Sequence, residues 1–131
     1  MTKKVSILCA IDQGTTSTRV ILFDSESLQR SLGQHQLEHE QFFPHPGWVE
    51  HSPLQIIERV QECLQKALEA ARDALGKDKG EIEIKAIGIT NQRETTVVWD
   101  KTTGKPLYNA IGINLISLYR KRDQRGEKRG K

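Results

Sequence analysis

Apolar residues run almost unbroken from Val5 to Ile11, the pattern of a strand covered on both faces. The polar stretch Asp12-Gln13-Gly14-Thr15-Thr16-Ser17 interrupts them, and Thr18–Phe23 is again β-branched and apolar. The pair reads as a hairpin of two buried strands around a loop rich in hydroxyls. Leu28–Phe42 alternates more weakly and predicts a third, half-exposed strand, ended by Pro44, Pro46 and Gly47. A helix follows over Pro53–Leu75. Ser52 suits the N-cap, Pro53 the first helical position, and Gln55 completes a capping box. Ile57, Val60, Leu64, Ala67, Leu68, Ala71 and Leu75 recur every three or four residues as one apolar stripe, and Gly76 stands at the C′ position. Strands are predicted again over Lys85–Thr90 and Thr95–Asp100, with a turn at Lys101–Lys105. The order β-β-β-α-β-β is an α/β class that opens with an antiparallel meander, which a plain dinucleotide-binding domain would lack. One substantial helix is too little to cover both faces of such a sheet, so the other face is expected to expose apolar surface.

The chain has 131 residues and a net charge of +3, and the charge is uneven. Residues 112–131 hold seven basic side chains (Arg120, Lys121, Arg122, Arg125, Lys128, Arg129, Lys131) against Asp123 and Glu127, so the preceding residues are mildly acidic. Residues 1–111 therefore form the expected domain and 112–131 a basic tail, expected to be disordered. Apart from Tyr119 the tail offers no ring for base stacking, and nucleic acid is not an expected partner. No apolar run reaches the ~18 residues of a membrane span, and the short run after Lys4 lacks a cleavage site for secretion. Cys9 and Cys63 lie within apolar periodic segments as small buried hydrophobes, which suits a reducing cytoplasm. His35 and His39 share a face without a third ligand nearby in sequence. His45 and His51 are expected to face solvent, and Trp48 to anchor the loop entering the helix.

Two polar stretches carry candidate chemistry. In Asp12–Ser17, Gly14 lets the backbone approach an anion, and hydroxyls and amides could cradle phosphate; Asp12 at a strand end could hold Mg²⁺ through water. The same composition also makes an ordinary hairpin turn. In Asn91-Gln92-Arg93-Glu94-Thr95, polar groups follow an apolar strand, where α/β sheets gather ligands. An adjacent Arg and Glu could donate to and accept from the hydroxyls of a polyol, or could be a solvated surface pair.

Taken together, Asp12-Gln13-Gly14-Thr15-Thr16-Ser17-Thr18-Arg19, Pro46-Gly47-Trp48-Val49-Glu50-His51 and Asn91-Gln92-Arg93-Glu94-Thr95-Thr96 resemble the glycerol-kinase branch of the FGGY carbohydrate kinases. That family belongs to the actin-like (ribonuclease H-like) ATPase superfamily, so a partial domain of that fold is implied. The first motif is shared loosely across the superfamily, whereas N-Q-R-E-T-T is specific to the branch. Lys105-Pro106-Leu107-Tyr108-Asn109-Ala110-Ile111 extends the resemblance, which stops at Gly112. It implies that Thr15, Thr16, Ser17 and Arg19 meet the phosphates of ATP or ADP, that Asp12 lies near Mg²⁺, and that Arg93 and Glu94 bind glycerol. It also implies that the catalytic Asp, an aromatic wall of the glycerol site and the adenosine pocket belong to parts of the family that these residues do not match. This chain alone is accordingly expected to be inactive. The alternatives are a truncated isoform with at most an interaction role, or a faulty gene model.

Overall fold

The computed structural model describes residues 4–76 and 81–112. In chain order its elements are β1 (Val5–Gln13), β2 (Ser17–Asp24), β3 (Ser31–Glu38), β4 (Val49–His51), α1 (Pro53–Leu75), β5 (Ile82–Asn91) and β6 (Ala110–Gly112). They group into two compact units, one built from the described residues up to His39 and from Leu54–Gln92, the other from Glu40–Pro53 and the described residues from Arg93.

The first unit is a four-stranded sheet in the order β3-β2-β1-β5. β1 and β2 pair antiparallel from Ile7↔Asp24 to Gln13↔Thr18, and β2 pairs antiparallel with β3. β5 lies parallel to β1, from Val5↔Ile82 to Gln13↔Asn91. A parallel neighbour needs a long crossover connection, and α1 lies within the segment that makes it. The helix ends as its sequence dictates: Gly76 adopts φ 78° and its N–H reaches the carbonyls of Arg72 and Asp73. One face of the sheet packs on α1. Ile7, Cys9 and Ile11 from β1, Val20 and Leu22 from β2, and Leu32 from β3 meet Cys63, Ala67, Ala71 and Leu75. A fully buried Leu22 contributes roughly 1.5–3 kcal/mol.

Helix and sheet meet closely at one glycine. A Cβ on Gly33 would stand 2.2 Å from the carbonyl oxygen of Ala67 and 2.7 Å from the amide nitrogen of Ala71. Glycine in β3, facing small residues on α1, sets the helix's distance from the sheet.

Three expectations need correction here. β1 is covered on one face only: Ile7, Cys9, Ile11 and Gln13 are buried while the residues between them stay partly open. The only described helix covers that single face. The stripe on α1 buries Cys63 rather than starting at Ile57, which remains 56% exposed. β5 is far more open than a covered strand, with Ile87 and Ile89 at 53% and 70% exposure. A register shift opposite Ile7/Leu8 keeps these two in line with buried Cys9 and Ile11, so they belong to the helix-facing side. Apolar surface is thus exposed on the face that α1 only partly covers, and Leu8, Ala10, Ile21 and Phe23 on the opposite face stay partly open as expected.

The second unit is smaller. β4 and β6 pair antiparallel through Val49↔Gly112, Glu50↔Ile111 and His51↔Ala110, and single bridges Phe42↔Glu50 and Thr96↔Ile111 flank them. The strand expected over Thr95–Asp100 is instead an irregular segment with isolated bridges at Thr96 and Trp99. Its β-branched residues favour extension, yet only alternate positions find partners. The turn at Lys101–Lys105 forms as expected: the Asp100 carboxylate accepts from the amides of Thr102 (2.9 Å) and Thr103 (2.7 Å) and from the Thr103 hydroxyl (2.9 Å). His51 is a further correction, because it is 1% exposed inside β4, flanked by paired backbone, rather than facing solvent. His45 is exposed and meets Trp48 edge-on, ring centres 4.8 Å apart, and Trp48 itself is half exposed. Gly112 belongs to β6 and not to a tail; the rest of the expected tail, 113–131, lies outside the described residues.

Candidate functional site

The loop between β1 and β2 places most of the phosphate candidates. Thr15 and Thr16 are exposed at its tip, and Ser17 opens β2. The Gly14 N–H donates to the Ser17 carbonyl at 2.8 Å, which closes the turn. A Cβ on Gly14 would stand 3.2 Å from that same carbonyl, so glycine keeps the turn tight. The Ser17 hydroxyl accepts from Gln36 at 2.9 Å. Asp12 lies within β1, opposite Arg19 on β2, and the two side chains pair at 3.2 Å while each remains about half exposed. A cavity of about 280 Å³ opens beside Arg19, lined also by Gln34, His35 and Gln36. The hydroxyls and the guanidinium thus border one end of the sheet.

Side chains to which the sequence pattern gave no such role prop this loop. Gln13, 8% exposed, donates to the Gly14 carbonyl at 2.8 Å and lies 3.3 Å from His39 Nε2. His39 Nε2 is itself 3.1 Å from the Gly14 carbonyl, and its backbone N–H donates to Thr16 at 3.1 Å. Gln92 donates to Gln13 Oε1 at 3.2 Å. The available signal was parity: Gln13 shares the inward face of β1 with Ile7, Cys9 and Ile11.

Arg93 and Glu94 sit in the second unit, in a turn where both side chains are exposed. Glu94 adopts φ 58°, the sole non-glycine residue with positive φ among those described. This backbone costs a residue with a Cβ about 1–2 kcal/mol, and such outliers cluster at binding sites. Downstream, the N–H and carbonyl of Thr96 pair with Ile111 at 3.0 and 2.9 Å. Glu50, 3% exposed, accepts from the Tyr108 hydroxyl and the Asn109 amide, both at 3.0 Å. That carboxylate holds the Tyr108 hydroxyl above the ordinary tyrosine range.

Residues 7–114 match the model of the FGGY family of carbohydrate kinases, N-terminal domain. The chain belongs to that family. It is 51% identical over 112 residues to glycerol kinase of Arabidopsis thaliana, covering 85% of this chain and 20% of the plant protein. Against glycerol kinase of Leifsonia xyli it is 56% identical over 104 residues, covering 79% and 19% respectively. Among solved structures, glycerol kinase of Plasmodium falciparum with ADP superposes with a TM-score of 0.75 at 35% identity, covering 93% of this chain and 23% of that one. Xylulose kinase of Rhodospirillum rubrum shares the fold, with a TM-score of 0.68 at 23% identity. The chain spans about a fifth of the length of the curated relatives it matches. No described group of three or more His, Cys, Asp or Glu side chains could hold a metal ion, and no described helix is long and apolar enough to cross a membrane.

Proposed function

We propose that these residues supply the phosphate-binding loop and the acceptor-binding turn of an ATP-dependent glycerol kinase working in the cytoplasm. The carrying observation is the strained backbone at Glu94 within N-Q-R-E-T-T, in a stretch of 104 to 112 residues that is 51–56% identical to two glycerol kinases. In this reading Arg93 donates to glycerol hydroxyls and Glu94 accepts from them, which fixes the orientation of the bound polyol. Thr15, Thr16 and Ser17 present hydroxyls and backbone amides to the phosphates of ATP, and Arg19 neutralises their charge. Phosphoryl transfer depends on such positioning and charge neutralisation more than on covalent work by the protein.

Mg²⁺ fits the donor chemistry here in one way. Asp12 is a single, half-open oxygen donor, which suits a hard cation that keeps most of its water shell and binds phosphate oxygens as well. The ion would supply charge neutralisation between phosphates. Arg19 restrains the Asp12 carboxylate at 3.2 Å and so orients it.

The family's general base lies outside the matched residues, and loss of a general base alone costs about 10²–10⁴ in rate. Taken alone, the 131-residue chain is therefore a binding module with turnover near background. ADP titration by calorimetry tests the phosphate loop. Arg19→Ala and Thr16→Ala are expected to weaken ADP, and Arg93→Ala to leave it unchanged. ADP affinity that ignores Arg19 and Thr16 would overturn the assignment.

A further inference from the structure

The buried carboxylate of Glu50 lies outside the residues assigned to either ligand, and its surroundings connect it to the acceptor turn. Its backbone pairs on one side with Phe42, by bonds of 2.8 and 2.9 Å, and on the other with Ile111 of β6. Its side chain holds the two residues that lead into β6, Tyr108 through Oε1 and Asn109 through Oε2. Ile111, two residues beyond Asn109, exchanges both backbone bonds with Thr96. Thr96 is in turn two residues beyond Glu94, where φ is 58°. Hydrogen bonds joined by two short covalent stretches thus link a buried carboxylate to the strained residue. Strained backbone persists only where surrounding structure over-determines it. Thr96 is tied to β6, and Glu50 clamps the approach to β6 at two points.

We propose that Glu50 is a positioning residue for the acceptor site: by fixing Tyr108 and Asn109 it sets the register of β6 against Thr96 and thereby holds Glu94 in its binding conformation. The claim rests on the glycerol reading for its purpose but not for its geometry. A carboxylate suits the task because both of its oxygens accept, one from a hydroxyl and one from an amide, and ionised acceptors make the stronger bonds. Glutamine in its place keeps one carbonyl acceptor and retains part of the clamp.

Amide exchange measured by NMR on the full chain tests this. Tyr108→Phe and Asn109→Ala each remove one bond while the other still holds the carboxylate, so these single variants, each expected to move the Thr96, Ile111 and Glu94 signals in the same direction, decide the matter if Glu50→Ala or the double variant is too disruptive. The double variant is expected to speed exchange at Thr96 and Ile111 by about ten- to a hundredfold and to shift the Glu94 amide resonance. Amides of Leu22 and Cys63 in the other unit should stay unchanged. Glu50→Gln should fall between the double variant and the unmodified chain. Unchanged Glu94, Thr96 and Ile111 signals in the folded double variant would overturn the proposal. A glycerol titration then separates the two claims. If glycerol moves Arg93 and Glu94 resonances equally in both proteins, positioning fails. If it moves nothing in the unmodified chain, the glycerol reading fails while the exchange data still decide the role of Glu50.

Discussion

Replacing Gly33 with alanine places a methyl group where the backbone of α1 already lies. The new Cβ would stand 2.2 Å from the Ala67 oxygen, 2.7 Å from the Ala71 nitrogen and 3.1 Å from the Ala71 Cβ. An ordinary carbon–oxygen contact is about 3.5 Å, so helix and strand must separate by roughly 1 Å. Neither shift is free. Moving α1 disturbs buried Cys63, Ala67, Ala71 and Leu75, and moving β3 disturbs the Leu22↔Gly33 pairing at the sheet edge. Overpacking costs about 1–3 kcal/mol and occasionally more; two backbone clashes point to the upper end, about 3 kcal/mol. For a chain of this size that lowers Tm by roughly 12 °C, at about 4 °C per kcal/mol. Circular dichroism melts of the unmodified chain, Gly33→Ala, and Gly33→Ala with Ala71→Gly check this. The second substitution removes only the 3.1 Å side-chain contact and leaves both backbone clashes, so it should not restore stability. A Tm within 2 °C or so of the unmodified chain, or full rescue by Ala71→Gly, would refute the close approach of helix and sheet.

The Asp100 carboxyl is held below the ordinary range by the Thr103 amide, the Thr103 hydroxyl and the Thr102 amide. Its support for the turn is complete above the unfolded carboxyl value and disappears as pH falls through the lowered native value. Thr103→Val should therefore move the Asp100 titration upward by NMR, and an unmoved titration would count against the turn. Burial pushes both the Cys9 and Cys63 thiols up, and neither side chain is open to solvent. Both should resist alkylation by iodoacetamide in the folded chain and react readily in denaturant, and rapid labelling of the folded protein would contradict the core. Glu94→Gly should relieve the positive φ and raise stability by up to about 1 kcal/mol while removing the carboxylate; a loss of stability in urea titration would show that Glu94 is not strained.

Much of the first unit was legible because its signals are local. Ser52, Pro53, Gln55 and Gly76 mark the helix ends within a few residues, and the β1–β2 hairpin needs only a polar turn between apolar runs. The second unit depends on distant pairing. Val49–His51 is three residues long, and its partner, Ala110–Gly112, lies some sixty residues away, so no local pattern marks it. The same cause hides the burial of Glu50 and His51, whose polar side chains read as surface. In Thr95–Asp100 the opposite occurs, where strong β propensity suggests a strand that neighbouring backbone only intermittently pairs. Gly33 looks like a weak spot in a strand until the helix above it is seen. The candidate residues themselves were legible as motifs, but the strain at Glu94 and the props at Gln13, His39 and Gln92 come from tertiary contacts.

The central claim is that the Arg93–Glu94 turn receives glycerol. Glycerol titrated into the isotopically labelled chain, followed by NMR, tests it most directly. The account predicts saturable shifts centred on Arg93 and Glu94, and at least about a tenfold weaker response in Glu94→Gln, since a charged acceptor becomes a neutral one. Shifts centred elsewhere, or an unaltered response in Glu94→Gln, would contradict it.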